Sequence, residues 1–384
     1  MHYNLFKSRS RAYLEEMNNR AHDMPEVYKC VNAMQNTTFK INVKVYQVAN
    51  TIFNNGGVVG KMPSMEDLPL PPKPFDIATN LEAKKKWKRK AAPIHEENAK
   101  LKSKRLLIDK LLWVASEYDQ EPEHTYPMQY DFRGRIYCVP MFLNFQGNDL
   151  AKSLLFTNGK PIENNEALKK LAIHGANMYG EDKKTLDERV KWVEDNEENI
   201  IATAKDPHNN YKFWSRCSEP YQFLAFCFEW EEFVNQGKRE EGFITHLPCF
   251  SDCTNSGLQI YSGVLKDEVG GKATNLTKEE IPQDVYQEVA NKTLELLKKE
   301  PDSLLKSMWL DYGIDRKTTK KVTMCVVYGL TQYSCRAYIE EHLKDMVEEG
   351  KPIPFSKDKD EAEETGIPSI FQATYYLSKL AWKA

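Results

Sequence analysis

Nowhere in the 384 residues do apolar side chains run for the roughly eighteen positions a membrane-spanning helix needs, and Met1 to Arg11 lacks the apolar core of a secretory signal. A cytoplasmic protein with no membrane partner is therefore expected. The eight cysteines form no CxxC pair. Cys249 and Cys253 come nearest to one, with no second pair close by to complete a zinc site, so reduced and mostly buried thiols are expected. No segment repeats at a fixed period, which excludes a repeat array. An excess of positive charge is missing too. The formal net charge is -3, which excludes a uniformly basic surface for nucleic acid.

What is present is a globular composition, with 28% charged and 11% aromatic residues and length enough for two or three cores. Charge is segregated. Acidic residues gather at 187–198, 231–241 and 358–364, and basic ones at 84–90 and 100–105. This fits a basic channel in an acidic shell, and it also fits solvated helix faces.

Apolar residues recur at helical spacing from Val27 to Phe53 and stop at Asn54, Asn55, Gly56 and Gly57, which predicts one or two long helices. The next stretch, MPSMEDLPLPPKPF, holds five prolines and predicts an extended linker. Leu81 to Tyr118 reads as a second helical stretch. From Tyr126, YPMQYDFRGRIYCVPMFLNFQG mixes aromatic and β-branched residues with Pro and Gly, the texture of strands and tight turns. Lys169 to Tyr179, Leu186 to Asn199 and Tyr221 to Asn235 have helical periodicity. HLPCFSDCTNSGLQIYSGVL reads as strand, turn and helix, and the chain from Ile281 onward as helix almost throughout.

Three groups of residues suggest chemistry. Asp252 follows a short apolar run and precedes turn-forming residues, so its carboxylate is expected at the end of a buried strand, where it could be half of a magnesium site or simply an Asx-turn or helix cap. In GIDRKTTKKVTMCVVYGL, Asp315 is a candidate N-cap, and Arg316, Lys320, Met324 and Tyr328 follow at four-residue spacing. Each step of four rotates the face by roughly forty degrees, so these side chains form one drifting stripe while Val322 and Val326 can face a core. The stripe suits a nucleoside triphosphate, and an ordinary amphipathic helix would also have it. Arg133 and Arg135 flank Gly134, and in an extended chain both would point to one side, toward phosphates or toward acids such as Asp131 or Asp149.

In this order, DFRGRIY, QGNDLAKSLL, HGAN, FLAFCFEW, LPCFSDCTNSGLQ, KDEVGG and DRKTTKKVTMCVVYG resemble the single-subunit DNA-dependent RNA polymerases of phages and mitochondria, from about Met24 to Ala384. The resemblance implies an α+β, mostly helical class and a right-hand fold. Residues 1–60 would be a helical thumb-like segment, 61–120 a proline-rich linker and basic helical segment, 121–280 a palm on a small antiparallel sheet, and 281–384 incomplete fingers. It implies that Asp252 and the Cys253 backbone carbonyl hold two magnesium ions. Arg316, Lys320, Met324, Tyr328 and Gly329 would bind the NTP, with Lys320 and Tyr328 counted beside Asp252 as catalytic. Arg133, Arg135 and Lys152 would line the path of DNA template and RNA transcript.

One expected block is not found. The family's second metal-binding aspartate stands in a His-Asp-Ser turn, and the only His-Asp pair here, His22 and Asp23, lies in a helical setting. The expectation is a subunit or fragment, inactive alone, that needs a second polypeptide for the C-terminal palm and fingers and that could use a promoter-recognition factor. The location implied is the host cytoplasm for a phage protein and the organelle for a mitochondrial relative. Two alternatives stand beside it: a catalytically inactive nucleic-acid-binding remnant or accessory subunit, and a DNA polymerase of the related fold.

Overall fold

In the computed structural model the chain divides into two units, 1–250 and 251–384. The described residues are 4–237, 242–348, 350–357 and 359–384, so the first three residues, positions 238–241 of the second acidic cluster and position 358 of the third lie outside them.

The first unit opens with α1 (Arg11–Asn19), a short 3-10 turn (Ala21–Asp23) and α2 (Pro25–Gln35). The periodic stretch from Val27 to Phe53 is not continuous helix. After α2 the β-branched and aromatic run around Thr37, Thr38 and Phe39 forms strand β1 (Phe39–Ile41), and Asn42 then caps α3 (Val43–Asn54) by accepting from the Val45 N–H. The proline-rich segment has no helix or strand, as its composition dictates, yet it is not a loose spacer. It is pinned along α4 (Leu81–Glu117) by paired Asn98–Leu68 hydrogen bonds, by the Trp87 indole on the Pro71 carbonyl, and by Arg105, which holds Asp67 and the carbonyls of Ser64 and Glu66.

Three antiparallel two-stranded ladders follow. Strands β2 (Met128–Tyr130) and β3 (Ile136–Cys138) form a hairpin; β4 (Leu155–Thr157), just after α5 (Asp149–Ser153), pairs with β1; and β5 (Lys160–Pro161) pairs with β6 (Ile244–Thr245). With the helices this makes an α+β protein, mostly helical, as expected. The helices α6 (Asn165–Tyr179), α7 (Leu186–Asp195), α8 (Glu197–Lys205) and α9 (Tyr211–Trp214) surround α10 (Pro220–Asn235). Every residue of α10 from Pro220 to Trp230 is buried, which is the pattern of a helix at the centre of a core rather than on its surface.

This core explains two sequence blocks. In HGAN, Gly175 lies against the ring of Phe226 from FLAFCFEW, where a Cβ would collide with the aromatic carbons. Asn177 accepts from the Arg189 guanidinium at 2.9 Å. His174 is buried, and burial pulls its pKa down to about 4, so it is neutral. These blocks build the scaffold.

The second unit contains α11 (Ser256–Leu265), α12 (Glu268–Ala273), α13 (Val285–Lys299), α14 (Leu304–Tyr312), α15 (Arg316–Val326), α16 (Gln332–Glu348), α17 (Lys359–Thr365) and α18 (Ile370–Lys383). Its core joins Leu297, Trp309, Ile339, Leu343, Ala373 and Leu377, and the Trp309 indole donates to the Ala373 carbonyl at 3.0 Å. Among the described residues no helix is long and apolar enough to cross a membrane.

The cysteines correct one expectation. All eight are free, but only Cys217, Cys227 and Cys335 are buried, while Cys30, Cys249 and Cys253 are exposed. Cys249 and Cys253 belong to an irregular segment with no helix or sheet face to bury them.

Candidate nucleotide and nucleic-acid site

Asp252 is not at the end of a buried strand. Strand β6 stops at Thr245, and residues 246–253 are irregular, with Asp252 exposed. The chain leaves the ladder at His246, whose N–H donates to the buried Glu229 carboxylate, and Pro248 has no N–H with which to resume pairing. The Asp252 carboxylate accepts from the N–H of Cys253 at 2.9 Å. Just beyond it the backbone is anchored: Asn275 donates to the Thr254 hydroxyl at 3.1 Å, and Asn255 caps α11 by accepting from the Leu258 N–H at 3.2 Å. An exposed carboxylate therefore projects from a fixed turn.

Helix α15 begins as its sequence predicts, with Asp315 accepting from the N–H and hydroxyl of Thr318 at 2.9 and 2.8 Å. Burial would raise the Asp315 pKa, and these donors outweigh it and hold the carboxyl below its ordinary value. Thr318, Thr319, Val322 and Thr323 are buried, so the inner face of α15 is largely threonine. Arg316 is half-buried; Lys320, Met324 and Tyr328 are exposed, Tyr328 at 67%. The stripe thus faces outward as one row, and Lys320 has no ion-pair partner among the described residues. Val326 departs from expectation: at 43% exposure it does not face the core, because the helix ends there and the chain turns through Gly329 at φ +80°.

Two contacts gather this row with Asp252. The Nδ2 of Asn255 donates to the Thr323 carbonyl of α15 at 3.2 Å. Gly257 on α11 lies directly beneath the end of the row, where an added Cβ would sit 2.7 Å from Val327 and 3.3 Å from the Tyr328 hydroxyl. Tyr286 completes the cluster. The Arg316 guanidinium stands 5.0 Å from its ring centroid, and Asp284 pairs with the Arg316 Nε. Burial pushes the Tyr286 hydroxyl pKa up; the Arg316 charge opposes this, and the Asp284 and Asp252 charges add to it.

The first unit carries the other candidates. DFRGR is a hairpin loop, not an extended strand: the Asp131 carboxylate accepts from the N–H groups of Arg133 and Arg135 at 2.9 and 3.0 Å, and Gly134 takes φ +81°. The Arg133 guanidinium folds back onto Asp131 at 2.9 Å, while the exposed Arg135 has no ion-pair partner among the described residues. Asp149 is committed elsewhere. It is buried and accepts from the N–H groups of Tyr221 and Gln222 at the start of α10, at 2.8 and 3.0 Å. Lys152, in the short α5 capped by Asn148, lies 4.6 Å over the Phe250 ring. Of the basic run on α4, Arg105 is taken by Asp67 and Lys100 by Glu96 and Glu97, but residues 84, 86 and 88–90 are exposed and have no ion-pair partner among the described residues.

Asn255, Gly257, Asp284 and Tyr286 were not singled out from sequence. Asp284 and Asn255 each have a local signal, an Asp or Asn that caps the helix following it; Gly257 and Tyr286 matter through contacts distant in the chain.

The DNA-dependent RNA polymerase family model matches residues 160–384. The DNA-directed RNA polymerase of Enterobacteria phage T3 is 37% identical over 390 residues, covering 94% of this chain and 42% of that protein. T7 RNA polymerase of Escherichia phage T7 is 36% identical, with 94% and 42% covered. The mitochondrial DNA-directed RNA polymerase 1 of Arabidopsis thaliana is 33% identical over 330 residues, covering 83% of this chain and 33% of that protein. The chain therefore spans 42% or less of the length of these three relatives. With more than half of its residues inside the family match, including Asp252 and the whole of α15, the chain belongs to the single-subunit, phage-type DNA-dependent RNA polymerases.

Proposed function

We propose that this chain carries the nucleotide-adding centre of DNA-templated RNA synthesis, the transfer of a nucleotide from an NTP to the 3′-hydroxyl of an RNA paired with template DNA. One observation carries the reading. The turn that carries the exposed carboxylate of Asp252 is tied to α15, whose outward stripe starts at Arg316, by the Asn255 Nδ2 bond to the Thr323 carbonyl at 3.2 Å, within one unit of the fold.

In this reading Arg316 and Lys320 take triphosphate oxygens through charge-assisted bonds. Met324 and Gly329 flank the sugar and base, and Tyr328 tests for the 2′-hydroxyl. Arg133, Arg135 and Lys152 position template and transcript by their backbones without reading sequence. Asp252 and the Cys253 carbonyl fit half of a magnesium site, because magnesium takes few protein oxygens and keeps waters and substrate phosphates. Two magnesium ions, when bound, would activate the attacking hydroxyl and neutralise the departing pyrophosphate.

A second acidic ligand then comes from outside these 384 residues, from more of the same polypeptide or from a second one that completes palm and fingers. A promoter-recognition factor would be a further partner. Residues 1–60 act as the thumb, 61–120 as its linker and basic helix, 121–280 as the palm and 281–384 as part of the fingers. The site of action is a phage host's cytoplasm or an organelle, where the template is.

A non-catalytic, nucleic-acid-binding accessory role is the second reading, supported by the exposed basic residues of α4 at 84, 86 and 88–90. The matches to RNA polymerases speak against the DNA-polymerase alternative. The test is primer extension on an RNA–DNA scaffold with ribonucleotides and magnesium, using the chain alone and mixed with the product of the adjoining reading frame. Extension in the mixture only, abolished by Asp252→Ala, is the expected result; extension by the chain alone would mean that an acid within these 384 residues completes the metal site. Salt-sensitive template binding with no extension in either would overturn it in favour of the accessory role.

A further inference from the structure

We propose that Asp284 is a positioning residue that presents Arg316 to the triphosphate; this rests on the nucleotide reading above. One carboxylate has two tasks. Its Oδ1 accepts from the N–H groups of Tyr286 and Gln287 at 3.1 and 3.3 Å and so caps α13, while its Oδ2 takes the Nε of Arg316 on α15. The Arg316 guanidinium is fixed on one edge by Asp284 and on one face by the Tyr286 ring at 5.0 Å. Its two terminal nitrogens have no hydrogen-bond partner among the described residues, and they form the fork that binds two phosphate oxygens at once.

A purely structural role explains less of this geometry. The start of α13 is already tied to α15 by the Thr319 hydroxyl, which donates to the Tyr286 carbonyl at 2.9 Å, and by the buried Val322 in the shared core. The ion pair is itself partly open, with side-chain exposures of 33% and 23%, and such pairs add little to stability. What the pair does supply is order. A free arginine samples many rotamers, and one already held at its Nε loses less freedom when phosphate arrives.

The measurement is equilibrium dialysis of the full chain with radiolabelled GTP and, separately, GMP, in magnesium. Asp284→Asn separates the two tasks, because asparagine caps a helix as well as aspartate but lacks the charge that holds Arg316. The expected result is an unchanged melting curve with about a tenfold loss of GTP affinity relative to GMP, a scale set by pre-organisation of a single side chain. Arg316→Ala loses the preference as well, and Asp284→Asn adds nothing in the Arg316→Ala background, the non-additivity of a coupled pair. If wild type and Arg316→Ala behave so while Asp284→Asn keeps or gains GTP affinity, Asp284 does not position Arg316 and the inference fails while the nucleotide site stands. If wild type shows no preference for GTP over GMP, the nucleotide reading itself fails, and this inference with it.

Discussion

The side chain of Asn255 joins the turn of Asp252 to the helix of Arg316 and Lys320, its Nδ2 donating to the Thr323 carbonyl and its Oδ1 accepting from the Leu258 N–H, both at 3.2 Å. Asn255 is buried and sits at φ 54°, a left-handed conformation that asparagine tolerates better than most side chains. Cap, bridge and backbone conformation thus depend on one residue. Asn255→Gly keeps the conformation and loses the two bonds, which should cost about 2 kcal/mol of stability in the second unit. Asn255→Ala adds the left-handed penalty, about 1 kcal/mol more. Urea unfolding of both variants reads the order; equal midpoints for the three proteins would refute the bridge.

Tyr328 is mostly exposed and its hydroxyl has no hydrogen-bond partner among the described residues. Tyr328→Phe should therefore leave stability within about 0.5 kcal/mol of wild type. Preference for ribonucleotides over deoxyribonucleotides should fall by about tenfold, the worth of one hydrogen bond of roughly 1.4 kcal/mol. Competitive incorporation of paired ribo- and deoxy-triphosphates measures it, and an unchanged ratio would remove Tyr328 from sugar selection.

Gly175 faces the Phe226 ring at the centre of the first unit, far from any open surface. Gly175→Ala should overpack that contact and cost about 1–3 kcal/mol. Phe226→Leu should restore part of the loss by making room. A thermal melt of the single and double variants checks this, and additive losses would show that the two side chains do not compete for the same space.

Asp149 provides a pH signature. Burial pushes its pKa up to about 6 from 3.8, against the hydrogen bonds from Tyr221 and Gln222 and with a further push from Glu219. Because the folded chain holds this proton more tightly than the unfolded one, the contribution to stability is full below about pH 4 and is lost as pH rises through about 6. The lost amount is at most about 3 kcal/mol, since each tenfold difference in proton affinity between the folded and unfolded chain is worth about 1.4 kcal/mol. Asp149→Asn should be less stable at every pH, since its amide turns a donor toward N–H groups that need an acceptor. Its stability deficit relative to wild type should narrow between pH 4 and 6, an interval set by the two pKa values. Urea midpoints across that range decide it: a constant difference would mean that Asp149 does not titrate there.

Much of this molecule follows from short-range rules. The long helix over 81–117, the Asp315 cap and the row of Arg316, Lys320, Met324 and Tyr328 all rest on periodicity and capping within a few residues, and the sequence determined them alone. Tertiary structure decided the rest. Asn255 meets Thr323 across 68 residues, Asp149 meets Tyr221 across 72, and Asp284 meets Arg316 across 32. No local pattern encodes such pairs, because they exist only once packed helices fix the register between distant segments. For the same reason Asp252 could be picked out as a carboxylate in a turn, but its exposure, and the Asn255 bond that ties its turn to the helix of Arg316, came from the fold.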